Sequence, residues 1–233
     1  MDWNQLTGAK TTAGAISRWL NTAQLSSGTN GDADTILQEA QQEIYTRLRH
    51  WRMLPPPVSG TLTIGSDALT PPSDFLEPYL LFLTGNYFGE LKQKTPNEVI
   101  GMWQYDGTGA RVQQRPTVYY FNQSAIQFES VADLAYTYSL LYYQVPAMLS
   151  ATNLTNFLTQ YYPRLIRTAT MMAGAEWTKE SNQGTYDRTY WEQQFEAELL
   201  NVQAASDRAH RALEVGALFI GGGPGAPPAY NSW

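Results

Sequence analysis

Two histidines, a cluster of three glutamates, a glycine-rich stretch and several tyrosine pairs are the residues of this 233-residue chain whose types and spacing could carry chemistry. His50 and His210 are each flanked by arginines, Arg49 and Arg52 in one case, Arg208 and Arg211 in the other. A metal site needs carboxylates or further imidazoles beside its ligands rather than cations. Both histidines are instead expected near helix C-termini, where cationic groups complement the helix dipole. The chain has no cysteine, which removes disulfides, thiolate-bound zinc and thiol nucleophiles. No Gly-x-Ser-x-Gly elbow is present, so a serine nucleophile of that type has no support. No metal and no cofactor are expected.

Glu192, Glu196 and Glu198 could form the paired acids of a glycosidase. Their pattern opposite Phe195 and Leu199 is also what a solvated helix face produces, and that is the reading adopted. Gly221 to Ala226 matches a dinucleotide-loop spacing, but Pro224, Pro227 and Pro228 leave no helix for it to open. The aromatic pairs Tyr119-Tyr120 and Tyr142-Tyr143 fall in β-rich runs. Adjacent strand residues point to opposite faces, so one member of each pair is expected to look away from the local core. Tyrosine suits a site with one end buried and the other wet, and Tyr120 and Tyr143 are assigned to subunit or tail contact.

The elements that position these residues follow from periodicity. Ile16, Trp19, Leu20 and Ala23 make one stripe of a helix over 11–25, and Leu37, Ala40, Ile44, Leu48 and Trp51 one over 34–51, with Thr35 and Gln38 at capping-box spacing. Pro55 to Pro57 end it. Strand period then takes over at 60–65, 75–83, 87–92, 117–122, 125–129 and 135–143, with a short helix at 95–103 and an exposed loop at 104–115 containing Asp106 and Arg111. Helix returns at 154–160, at 164–180 behind Pro163, and at 186–215, where Phe195, Leu199, Val202, Ser206, Ala209 and Leu213 form a seam. Residues 216–233, rich in Gly and Pro, are expected to be an extended arm. This predicts an α+β fold: a helical bundle of residues 1–55 and 147–215, a β-rich insertion at 56–146, and the arm.

Composition narrows the partners. The formal charge is −6, with 15% charged residues and 13% aromatic ones. Gripping nucleic-acid phosphates takes a basic surface that this composition lacks. The stretch from Met1 to Gln5 has no basic leader, so secretion is not expected, and the longest compact apolar run, Tyr79 to Leu83, predicts no membrane span. The arm nevertheless carries Leu218, Phe219, Ile220, Tyr230 and Trp233, groups in which a plain disordered tail is depleted. It is expected to order on another chain.

Arg47-Leu-Arg49, Asp74-Phe-Leu-Glu77, Pro116-x-x-Tyr119, Leu141-Tyr-Tyr143, Ala147-Met-Leu-Ser150, Thr155-Asn156, Tyr162-Pro163 and Trp191 with Phe195, in that order, resemble the head-to-tail adaptor (connector) proteins of tailed bacteriophages. The resemblance implies a non-enzymatic ring, commonly of about twelve copies, set below the portal protein at the virion neck after assembly in the host cytoplasm, with a tail or nozzle component attached next. The arm and the 104–115 loop have no counterpart in the resemblance, so portal docking for Leu218, Phe219, Ile220, Tyr230 and Trp233, and subunit or tail contact for Asp106, Arg111, Tyr120 and Tyr143, are expected from the aromatic, apolar and loop character of those residues. Twelve copies would carry roughly −72, a charge that lets DNA pass without being held. A glycan-binding module using exposed aromatics, and a carboxylate-dependent hydrolase, are the competing expectations.

Overall fold

The computed structural model describes residues 1–8, 15–20, 25, 31–84, 89–122, 124–180 and 188–221, without the side chains of 176–180, 210 and 212–221. The helices among these residues are α1 (Trp3–Leu6), α2 (Ile16–Trp19), α3 (Asp32–Arg47), α4 (Pro96–Gly101), α5 (Phe157–Tyr161), α6 (Pro163–Glu180) and α7 (Arg188–Gly221). The strands are β1 (Val58–Leu62), β2 (Ala68–Leu69), β3 (Phe75–Thr84), β4 (Gly89–Gln93), β5 (Val118–Asn122), β6 (Ala125–Phe128) and β7 (Tyr136–Gln144). The chain is thus mixed α and β. It divides into two compact units, Met1–Trp51 with Ala147–Trp233, and Arg52–Pro146.

In the first unit α6 is the hub, touching α2, α3, α5 and α7. Pro163 supplies its first residue, where a missing N–H costs nothing, and Leu165, Ile166, Ala169 and Thr170 are fully buried along it. A Cβ at Gly174 would lie 2.5 Å from Leu20 Cδ1, so glycine is what lets the end of α2 approach α6. On α7 the expected seam is buried at Phe195, Leu199, Val202 and Ser206 and half-buried at Ala209, and the side chain of Leu213 lies outside the described residues.

Three helix expectations need correction. Helix α3 starts at Asp32 with Gly31 as its N-cap, and Thr35 turns its hydroxyl back onto the Gly31 carbonyl (3.1 Å) instead of capping. It also stops at Arg47, before Trp51, because Arg49 Nη1 donates to the terminal carbonyls of Tyr45 and Thr46 (both 3.2 Å) while Ser206 Oγ takes the Trp51 N–H (2.9 Å). Of the helix expected over 11–25, Ile16–Trp19 is helical, and 11–14 and 21–24 lie outside the described residues. Finally, α7 continues to Gly221, so residues 216–221 are helix and not arm. An isolated Gly216 costs about 1 kcal/mol in a helix, and no proline intervenes before Pro224.

The second unit is one seven-stranded sheet in the order β1-β7-β3-β4-β5-β6-β2. All neighbours are antiparallel except β4 and β5, which run parallel and are joined through α4 and the 104–115 loop. Laid flat, seven strands would span about 29 Å. Yet Leu62, Leu69, Leu81, Leu91, Tyr119, Ile126, Phe128 and Leu140, drawn from every strand, belong to one buried cluster. The sheet therefore curls around its core until it is nearly closed. Alternation does the sorting: on β7, Tyr136, Leu140 and Tyr142 face inward and pair with inward residues of β1 and β3, such as Leu81 opposite Leu140. Asn122 and Ala125 close the expected hairpin between β5 and β6. The strand expected at 60–65 lies two residues earlier because Gly65, at φ +80°, is in a turn. The two-residue β2 is too short for alternation to have shown it.

Candidate interaction surfaces

The 104–115 loop is built from its own polar groups. Asp106 Oδ1 accepts the N–H of Thr108 (2.8 Å), the Thr108 hydroxyl (2.6 Å) and the N–H of Ala110 (3.1 Å). The hydrogen bonds from Thr108, side chain first, hold this carboxyl below the usual carboxylate range. Gly109 sits at φ +82°, a left-handed geometry open to glycine. The stems are pinned by bridges between Tyr105 and Arg111 and between Gln113 and Val131. Beneath them Arg111 donates to Asp67 Oδ2 (2.6 Å) and to the Phe128 carbonyl (2.8 Å), and its guanidinium lies 4.4 Å from the centre of the Trp103 ring.

That scaffold presents an apolar stretch. Ile100, Met102 and Tyr105 are 43, 42 and 58% exposed within six consecutive residues. Ile100 belongs to α4, Met102 is its C-cap and Tyr105 stands at the loop stem, so three exposed apolar side chains lead from the helix into the loop. Sequence reasoning placed the loop yet missed these three residues; the Asp-x-Thr-Gly turn signal at 106–109 was the visible clue to rigidity.

The other expected contact residues fall in different places. Asp106 is exposed at the tip, and Tyr143 is half-buried with its ring 5.7 Å from that of Tyr79. Arg111 works inside the unit, as described. Tyr120 is only 8% exposed because α4 covers the second face of the sheet, where Tyr120 packs with Val99 and Val118 while Tyr119 enters the main core. Tyr120 thus looks away from the main core, as expected, but into a second small cluster under α4 and not toward the surface. Leu218, Phe219 and Ile220 lie on the last turns of α7, and Tyr230 and Trp233 lie outside the described residues.

The residues weighed for catalysis do not converge. Glu196 accepts from Arg47 of α3, and Glu198 pairs with Arg164 of α6 at 3.0 Å. These acids tie α7 to two different helices, so the solvated-face reading is corrected for both. His50 is completely buried, three residues past the end of α3, with Nε2 2.9 Å from the Tyr162 hydroxyl and its ring stacked on Phe157. Aromatic packing, not the helix dipole, fixes it. The side chain of His210 lies outside the described residues.

Among the described residues no helix is long and apolar enough to cross a membrane. No curated protein matches the chain. A family model does: that of the SU10 adaptor protein, over residues 8–216.

Proposed function

The chain belongs to the SU10 adaptor protein family, and from that premise we propose that it is a structural adaptor of a tailed-phage virion, forming a ring between the portal and the tail. The observation that carries this reading is the extent of the match, which runs through both compact units and stops five residues short of the end of α7. The acidic composition suits a ring through which DNA slides without being gripped. In this reading the exposed Ile100, Met102 and Tyr105, with the adjoining loop that Asp106 and Arg111 hold, meet the next tail component. The end of α7 and the residues beyond it, with Leu218, Phe219, Ile220, Tyr230 and Trp233 as anchors, meet the portal. No catalytic step is assigned.

The test uses purified portal rings and the full chain. Electron microscopy should show a second ring of density on the tail-facing side of the portal, and removal of residues 222–233, which leaves α7 entire, should weaken capture by portal at least tenfold. Full capture by the truncated chain would remove the portal role of Tyr230 and Trp233, and absence of any added ring would remove the adaptor reading.

A further inference from the structure

Helix α7 has a second face that its own unit does not use. Leu200 is 63% exposed, and Ala197 and Ala204 stand three residues before and four after it, on the same outward stripe as Arg211, with Arg208 on its flank. Arg208 and Arg211 are exposed, and among the described residues Arg211 Nε donates to the carbonyl of Asp207 in its own helix (3.3 Å). The stripe therefore offers a large apolar knob followed by two cations.

A different surface of the same unit has the opposite character. Helices α3 and α6 and the start of α7 border an open cleft of about 260 Å³, walled by Ala40, Met172 and Ala173 and rimmed by Glu39, Glu43, Glu192 and Arg188. Among the described residues, three carboxylates against one guanidinium make the rim acidic, although Glu43 also serves Arg47 (3.2 Å). Knob and cations on one face, apolar wall and carboxylates on another, make the unit complementary to a copy of itself. Because the two faces differ, the contact is head-to-tail and generates not a closed pair but a chain of copies, which becomes a ring where the rotation closes.

We infer that the outward stripe of α7 in one copy docks in the α3–α6–α7 cleft of the next, with Leu200 against Met172 and Ala173 and Arg208 toward Glu39 and Glu192. This rests on the ring reading above and names the surfaces that build it. The absence of cysteine makes it directly testable. Full-length chain carrying both Leu200→Cys and Ala173→Cys, oxidised alone at high concentration and again on portal rings, should give a ladder of dimers, trimers and higher species on a non-reducing gel. Each single variant should stay monomeric. In sedimentation, Arg208→Glu with Arg211→Glu, or Glu39→Lys with Glu192→Lys, should each weaken self-association at least tenfold, and mixing the two variants should restore hetero-pairs. Dimers from Leu200→Cys alone would mean a symmetric contact and overturn the proposal, as would failure of the double variant to form a ladder under both conditions. If rings still appear on portal by microscopy without that ladder, the adaptor reading stands and this contact is wrong; if no rings appear, both fall.

Discussion

Asp34 shows how a single buried group sets a pH response. It lies in the first turn of α3, 5% exposed, with Oδ1 lacking any partner. Burial pushes its carboxyl above the ordinary value, and a hydrogen bond from the Trp3 side chain offsets only part of that. A carboxyl whose value is raised by folding holds its proton more tightly in the folded chain than in the unfolded one. Its contribution to stability is therefore complete below the unfolded carboxylate value and is lost as pH rises through the raised folded value. Asp34→Asn, which cannot ionise, should gain stability relative to the native chain as the buffer goes from about pH 4 to about pH 8, measured by urea unfolding. Parallel stability curves for the two proteins would show that Asp34 is not penalised by ionisation. Glu129 illustrates the other way to bury an acid. At 6% exposure it accepts the Thr117 N–H (2.6 Å), the Thr117 hydroxyl (2.7 Å) and the Val118 N–H (3.1 Å), so each oxygen is satisfied where β5 begins.

At the scale of elements, the 104–115 loop separates local order from global stability. Asp106 is exposed and its bonds stay within the loop, so Asp106→Ala should leave the urea midpoint of global unfolding essentially unchanged. Hydrogen exchange at the Thr108 and Ala110 amides should nevertheless accelerate severalfold, since both lose their acceptor. Unchanged protection there would mean that the stem bridges alone hold the turn. Periodicity revealed the α7 seam and the inward face of β7 because each depends on residues close in sequence. It could not reveal the cover over Tyr120, which comes from α4, nor the partners of Glu196 and Glu198, which come from α3 and α6. Thr35 was misread as a cap because a hydroxyl one turn inside a helix can bond backward just as readily. The anchoring of the 104–115 loop includes Arg111 reaching Asp67, 44 residues away in sequence, and no spacing rule encodes that.

At the scale of the whole molecule, the two units have separate means of cohesion. The strands of Arg52–Pro146 surround one shared core, and the first strand, β1, pairs with the last, β7, with Val58 opposite Leu140. Residues 52–146 expressed alone should therefore unfold cooperatively with native-like near-ultraviolet dichroism; a non-cooperative melt would show that this core needs the rest of the chain. In the other unit, the parts before and after the insertion are tied by Leu149 N–H to Gln41 Oε1 (2.7 Å), Asn156 Nδ2 to the Tyr45 hydroxyl (2.8 Å), and Tyr162 to His50.

The place of α6 as hub also governs the order of events on the ribosome. Helices α2 and α3 are made before the second unit, but the helix they pack against begins only at Pro163, after every strand of that unit has been synthesised. The inner unit can close once β7 has emerged, while the outer one must wait for the last third of the chain. Birth is thus nested: the part made in the middle is finished first, and the oldest helices are the last to find their partners.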